Sequence, residues 1–103
     1  MSGKQKKYLR ALAHSLKPLV NLGKQGFSLE TRRELENQLL DHELIKCKVL
    51  DSCPLSKKEC AEEISKKTEI EVVQVIGNTL VLFSPHPEDP RINFTIACLP
   101  MKA

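Results

Sequence analysis

The sequence predicts an α/β domain: a mixed four-stranded sheet with three helices in the order α-β-α-β-α-β-β. Three observations carry that class. Stretches with apolar residues at helical spacing alternate with short runs rich in Val, Leu and Ile. The last two of those runs are joined by Gly77-Asn78, a two-residue hairpin signal. The length, 103 residues, is enough for one hydrophobic core and too short for two.

The first helix is expected over residues 2–16. Ser2 and Gln5 have the spacing of a capping box, and Tyr8, Leu9, Leu12, Ala13 and Leu16 gather on one side. Lys6, Lys7, Arg10, His14 and Lys17 occupy the other side. Pro18 ends this helix, because it lacks an N–H and biases Lys17 away from helical angles. Leu19 to Leu22 then reads as a short strand, followed by the loop Gly23-Lys24-Gln25-Gly26. Ser28 is placed to cap a second helix running to about His42, with Glu30 in its first turn and Leu29, Leu35, Leu39 and Leu40 as its buried stripe.

Leu44 to Leu50 alternates Ile45, Cys47 and Val49 against Leu44, Lys46, Lys48 and Leu50, so one strand face is apolar and the other carries two lysines. Asp51 to Leu55 is a loop. Ser56 and Glu59 form a second capping box, opening a third helix that buries Cys60, Ala61 and Ile64 and runs to about Thr68. Glu71–Ile76 and Thr79–Ser84 form the hairpin. The two helical crossovers imply parallel neighbours, and the hairpin adds an antiparallel pair. Residues 1–84 make up the domain; 85–103 read as an irregular tail, with Ile92 to Ile96 as a short edge strand at most.

The net charge of +3 conceals an uneven distribution. Residues 1–27 hold six basic groups (Lys4, Lys6, Lys7, Arg10, Lys17 and Lys24) and no acid, so the remainder nets −3 by subtraction. A one-signed segment attracts a polyanion through its local field. The basic helix face can be read as a solvated lysine face or as a surface for phosphate, and the absence of acids favours the second. Lys46 and Lys48 either extend that track or only keep a sheet face soluble. The loop Gly23 to Gly26 suits a backbone grip: its glycines permit close approach, a helix start follows, and Lys24 puts a mobile charge at the tip.

Other chemistries find little support. The cysteines at 47, 53, 60 and 98 match no zinc spacing, and Cys47 and Cys60 read as small buried hydrophobes in a reducing, cytoplasmic setting. No stretch reads as a signal peptide or a membrane helix. His14, His42 and His86 lie far apart, none in a nucleophile pattern, and Gly23 to Gly26 is too short for a nucleotide-triphosphate loop. No catalytic residue, metal or cofactor is expected. Phe27, the aromatic beside the loop, reads as a core anchor before a base-stacking platform.

Four stretches are familiar together: Met1 to His14, Leu22-Gly-Lys-Gln-Gly26, Glu43-Leu-Ile-Lys-Cys-Lys-Val-Leu50 and Val73-Gln-Val-Ile-Gly77. In order and spacing they resemble the CRM domain family, named for chloroplast RNA splicing and ribosome maturation, in its small stand-alone bacterial YhbY-like form. The likeness runs from residue 1 to about 84. It implies a fold related to the C-terminal domain of bacterial translation initiation factor three. It also implies an RNA-binding protein associated with ribosomal RNA or large-subunit precursor particles, while the size and fold make a monomer the default. The implied RNA contacts are Gly23, Lys24, Gln25 and Gly26, helped by Lys4, Lys6, Lys7 and Arg10. The basic faces above add His14, Lys17, Lys46 and Lys48. Asn78 and Ser84 stand where relatives often carry basic residues, which reduces the hairpin's share. The competing reading is a protein-interaction module that docks an acidic ribosomal or translation-factor partner without touching RNA.

Overall fold

The computed structural model describes residues 3–85 and Glu88. Among the described residues three helices, α1 (Gly3–Ala13), α2 (Leu29–His42) and α3 (Lys57–Lys67), alternate with four strands. The strands are β1 (Pro18–Leu22), β2 (Leu44–Val49), β3 (Glu71–Ile76) and β4 (Thr79–Phe83), in the sequence order expected. The Ser2 half of the first capping box and the segment Ile92 to Ile96 lie outside the described residues.

The sheet order is β1-β2-β4-β3. β1 and β2 are parallel neighbours, with Asn21 beside Lys48 and Leu22 beside Val49. β2 and β4 are antiparallel, as are β3 and β4. The second crossover therefore corrects the expectation of parallel neighbours. β3 runs in the same sense as β2 but is not adjacent to it, because β4 folds back into the gap between them. Composition explains the arrangement. β4, Thr-Leu-Val-Leu-Phe, is buried from Leu80 to Phe83 and needs cover on both faces, whereas β3 is largely exposed and suits an edge.

The helices cover opposite faces of the sheet. On one side α2 and α3 enclose Val20, Leu22, Ile45, Cys47, Val49, Leu80 and Leu82 with their own Leu35, Leu39, Cys60 and Ile64. On the other, Leu9 and Ala13 of α1 pack on Leu44, Val73, Val81 and Phe83. The period-two alternation in β2 thus feeds two cores, and Leu44 joins the smaller one.

Helix ends follow capping chemistry. Ser28 accepts a hydrogen bond from the Thr31 amide at 3.2 Å. The Ser56 capping box closes in both directions at 3.1 Å. α1 is shorter than expected: it stops at Ala13, a tight turn brings the Leu16 amide to the Ala13 carbonyl at 2.9 Å, and Pro18 becomes the first residue of an edge strand. Its buried stripe is Gln5, Leu9 and Ala13, and Leu12 and Leu16 are exposed. In α2, Leu35 and Leu39 are buried, but Leu29 is 61% exposed and Leu40 faces out as well.

One positive-φ junction is not signalled by any glycine. Glu43 alone links α2 to β2, with φ of 63°. Its amide donates to the Leu39 carbonyl at 2.7 Å, and its carbonyl accepts from the Ser84 amide at 2.8 Å. A left-handed non-glycine residue is costly by about 1–2 kcal/mol, and here two backbone bonds and full burial hold it.

Candidate nucleic-acid interface

Gly23 to Gly26 forms a closed four-residue turn at the C-terminal end of β1, the Gly26 amide donating to the Gly23 carbonyl at 2.9 Å. Gly26 has φ of 59°, the left-handed region that a side chain disfavours. That geometry places Lys24 and Gln25 at the exposed tip. Phe27, half-buried, packs against the larger core and anchors the loop from behind. Ser28 then starts α2, whose first turn carries Glu30, a carboxylate that competes with any anion for this helix end.

The loop is supported by its neighbours in the sheet. The Leu50 amide donates to the Leu22 carbonyl at 2.9 Å, and the Val49 amide donates to the Asn78 carbonyl at 2.7 Å. Loop 23–26, the segment 50–55 and the Gly77-Asn78 hairpin thus share one end of the sheet. Gly26 faces Pro54 and Leu55; a Cβ placed there would lie 3.5 Å from Pro54 Cγ.

On α1, Lys4, Lys7, Arg10 and His14 succeed one another at spacings of three and four, with Lys6 at their flank, and all five are exposed. The helix lies on the sheet face that carries Lys46 and Lys48. Arg10, His14 and Lys46 line one depression of about 320 Å³ with Gln74, and Ala11, Ala13, Ile76 and Val81 give it an apolar floor. Among the described residues, no carboxylate lines it. Lys17 is exposed just before Pro18, the residue level with Lys46.

Lys48 is exposed two residues farther along β2, level with Asn21. At ~3.3 Å per strand residue, the path from Lys46 to the level of Gly23 is about 13 Å. The structure therefore brings Arg10, His14 and Lys46 together, sets Lys17 and Lys48 beside them, and leaves Lys24 at the end of the strand track. Sequence reading did not single out Gln74 as a site residue, although it lies within the stretch Val73-Gln-Val-Ile-Gly77.

The remaining charged surface differs. A larger cavity of about 580 Å³ includes Arg32, Glu36 and Glu69 in its lining, and Arg32 meets Glu36 at 3.6 Å. Lys67 is paired with Glu63 at 2.8 Å, which holds that carboxyl below its usual range. These mixed-sign faces offer no focused field. Among the described residues there is no group of three or more metal-ligating side chains, and no helix is long and apolar enough to cross a membrane.

Comparison with known proteins points one way. The family model described as the CRS1 / YhbY (CRM) domain matches residues 1–84. "Probable RNA-binding protein YqeI" of Bacillus subtilis (strain 168) is 38% identical over 92 residues, covering 89% of this chain and 96% of that one. An "RNA-binding protein" of Haemophilus influenzae is 42% identical over 88 residues, covering 85% and 89% respectively. The solution structure of the hypothetical protein SAV1595 from Staphylococcus aureus superposes with a TM-score of 0.71 at 38% identity, over 90% of this chain and 97% of that one.

Proposed function

The chain belongs to the CRS1/YhbY (CRM) domain family, and we propose that it binds structured RNA through the acid-free face of α1, Lys46 and Lys48, and the GKQG loop. The observation that carries the reading is the convergence of Arg10, His14 and Lys46 on one depression that no carboxylate among the described residues lines. Cations gathered without acids release counterions from a phosphate backbone, and that release supplies most of the non-specific affinity for nucleic acid.

Contacts of this kind position the protein and read shape. Tyr8, Phe27, Phe83 and Phe94 are the whole aromatic set, and Phe27 and Phe83 are engaged in packing. A base-stacking platform for single strands has little material, so structured RNA is the better target. The setting we propose is large-subunit precursor RNA in the cytoplasm, in keeping with the ribosome maturation in the family's name. Gly23 and Gly26 shape the loop, Lys24 and Gln25 meet the backbone, and Lys4, Lys6, Lys7, Arg10, His14, Lys17, Lys46 and Lys48 supply the flanking field.

Crosslinking in cells followed by RNA sequencing tests this. Large-subunit precursor RNA should dominate the recovered fragments. Recovery of protein adducts without ribosomal RNA would point instead to an acidic protein partner.

A further inference from the structure

We propose that Cys53 and Cys60 are a redox-sensitive pair that oxidation closes into an intramolecular disulfide, and that this bond weakens RNA binding by shifting the wall behind the GKQG loop. The RNA consequence rests on the function proposed above; the disulfide does not.

The two sulfurs lie 3.8 Å apart, and both thiols are free. Their placement is local and firmly set. Cys53 sits half-buried in the loop before α3, its amide bonded to the Leu50 carbonyl at 2.9 Å. Cys60 is the fourth residue of α3 and fully buried, held by the Ser56–Glu59 capping box immediately before it. A disulfide needs sulfurs about 2.04 Å apart, so closure draws them together by nearly 2 Å. The residues that must follow Cys53 are Pro54 and Leu55. These are the same two that stand behind Gly26, where an added Cβ would meet Pro54 Cγ at 3.5 Å and Leu55 Cδ1 at 3.8 Å. Displacement at Cys53 thus reaches the loop through one intervening residue.

The oxidant required is a peroxide. The Cys53 thiolate attacks hydrogen peroxide, the O–O bond breaks, and hydroxide leaves and takes a proton to become water. Cys53 is now a sulfenic acid. The Cys60 sulfur displaces its hydroxyl, which departs as a second water with the Cys60 proton. Two thiols and one peroxide give one disulfide and two waters, the two sulfurs supplying the two electrons. Exposure suits this order. Cys53 is the one reached from solvent, while burial pushes the Cys60 thiol up to about 12 and keeps it protonated until the sulfenic acid forms beside it. Cys47, fully buried, is shielded from the first step.

The test treats the full chain with hydrogen peroxide, alkylates it in denaturant, and maps the peptides by mass. Two of the four thiols should be lost, with a Cys53–Cys60 linked peptide that dithiothreitol reverses. Cys53→Ser, at a half-buried position, should keep every remaining thiol under the same treatment. Absence of the linked peptide, or linkage to another cysteine instead, overturns the pair. Oxidised wild-type protein should bind a structured ribosomal RNA fragment about fivefold more weakly, the lower end of ordinary coupling between sites, and Cys53→Ser should not respond. Oxidised protein that carries the disulfide yet binds as the reduced form does would overturn the switch. Reduced protein that binds no RNA would count against the proposed function alone, since the mass readout judges the pair independently.

Discussion

His14, just past the end of α1, and Lys46, in the middle of β2, line the same depression on the sheet face that α1 covers. That juxtaposition joins a basic helix to a basic strand, and it makes Lys46 a bridge between α1 and the end of the sheet. Reversing its charge in Lys46→Glu should weaken RNA binding and reduce the log–log salt slope by about one, the signature of a lost phosphate contact. Lys46 is only half-buried, so unfolding free energy should stay within about 0.5 kcal/mol of wild type. Anisotropy titrations and chemical denaturation on the same preparation check both statements.

The two loop glycines should respond differently to alanine. Gly26→Ala forces a side chain onto φ of 59° and should cost about 1–2 kcal/mol. The penalty is in the backbone, since the new Cβ would meet its nearest neighbour at 3.5 Å, an ordinary contact. Gly23→Ala also meets its nearest atom, Ser52 Oγ, at 3.5 Å but with no such backbone strain, and should stay within about 0.5 kcal/mol. Urea unfolding of the pair decides it.

Two leucines of α2 provide a second contrast. Leu35 is fully buried and Leu29 is 61% exposed, although both fit an apolar stripe in the sequence. Leu35→Ala should cost about 2–5 kcal/mol, and Leu29→Ala less than about 0.5 kcal/mol. Thermal or urea unfolding gives the difference directly.

The buried thiols make stability fall in alkali. Burial pushes Cys47 from 9.0 up to about 12, so the folded chain holds that proton more tightly than the unfolded one. The stabilisation is complete below the unfolded value of 9.0 and is lost as pH rises from there toward about 12. Cys60, raised likewise, adds to the same slope. Denaturation midpoints measured at rising pH should decline through this window, and Cys47→Ala should flatten the decline while lowering stability at neutral pH.

Much of this architecture is written in local chemistry. Ser28, Ser56 with Glu59, and Gly77-Asn78 each specify their cap or turn through neighbours a few residues away, so element order and ends are legible in the chain. Leu12 and Leu29 misled because helical period says only which residues share a side, while the extent of cover depends on which elements pack there. Strand order was hidden for a related reason: a crossover fixes direction, and whether β3 or β4 lies beside β2 depends on the burial demand of the whole sheet. Glu43 carries a left-handed turn that sequence rules assign to glycine or asparagine. For the candidate site, the basic residues and the loop were visible individually. The meeting of Arg10 and His14 with Lys46 was not, because it depends on which sheet face α1 covers.

If this surface grips phosphates, the salt dependence of RNA binding registers it with the fewest intervening steps. A purified large-subunit precursor RNA fragment would be titrated across a range of salt with wild-type protein and with Lys24→Glu. With five or six phosphates neutralised, the log–log slope for wild type is about −4. Lys24→Glu should bind more weakly with an unchanged thermal midpoint, because Lys24 is exposed at the loop tip. A wild-type slope near zero, or a folded Lys24→Glu variant that binds as wild type does, would rule the phosphate grip out.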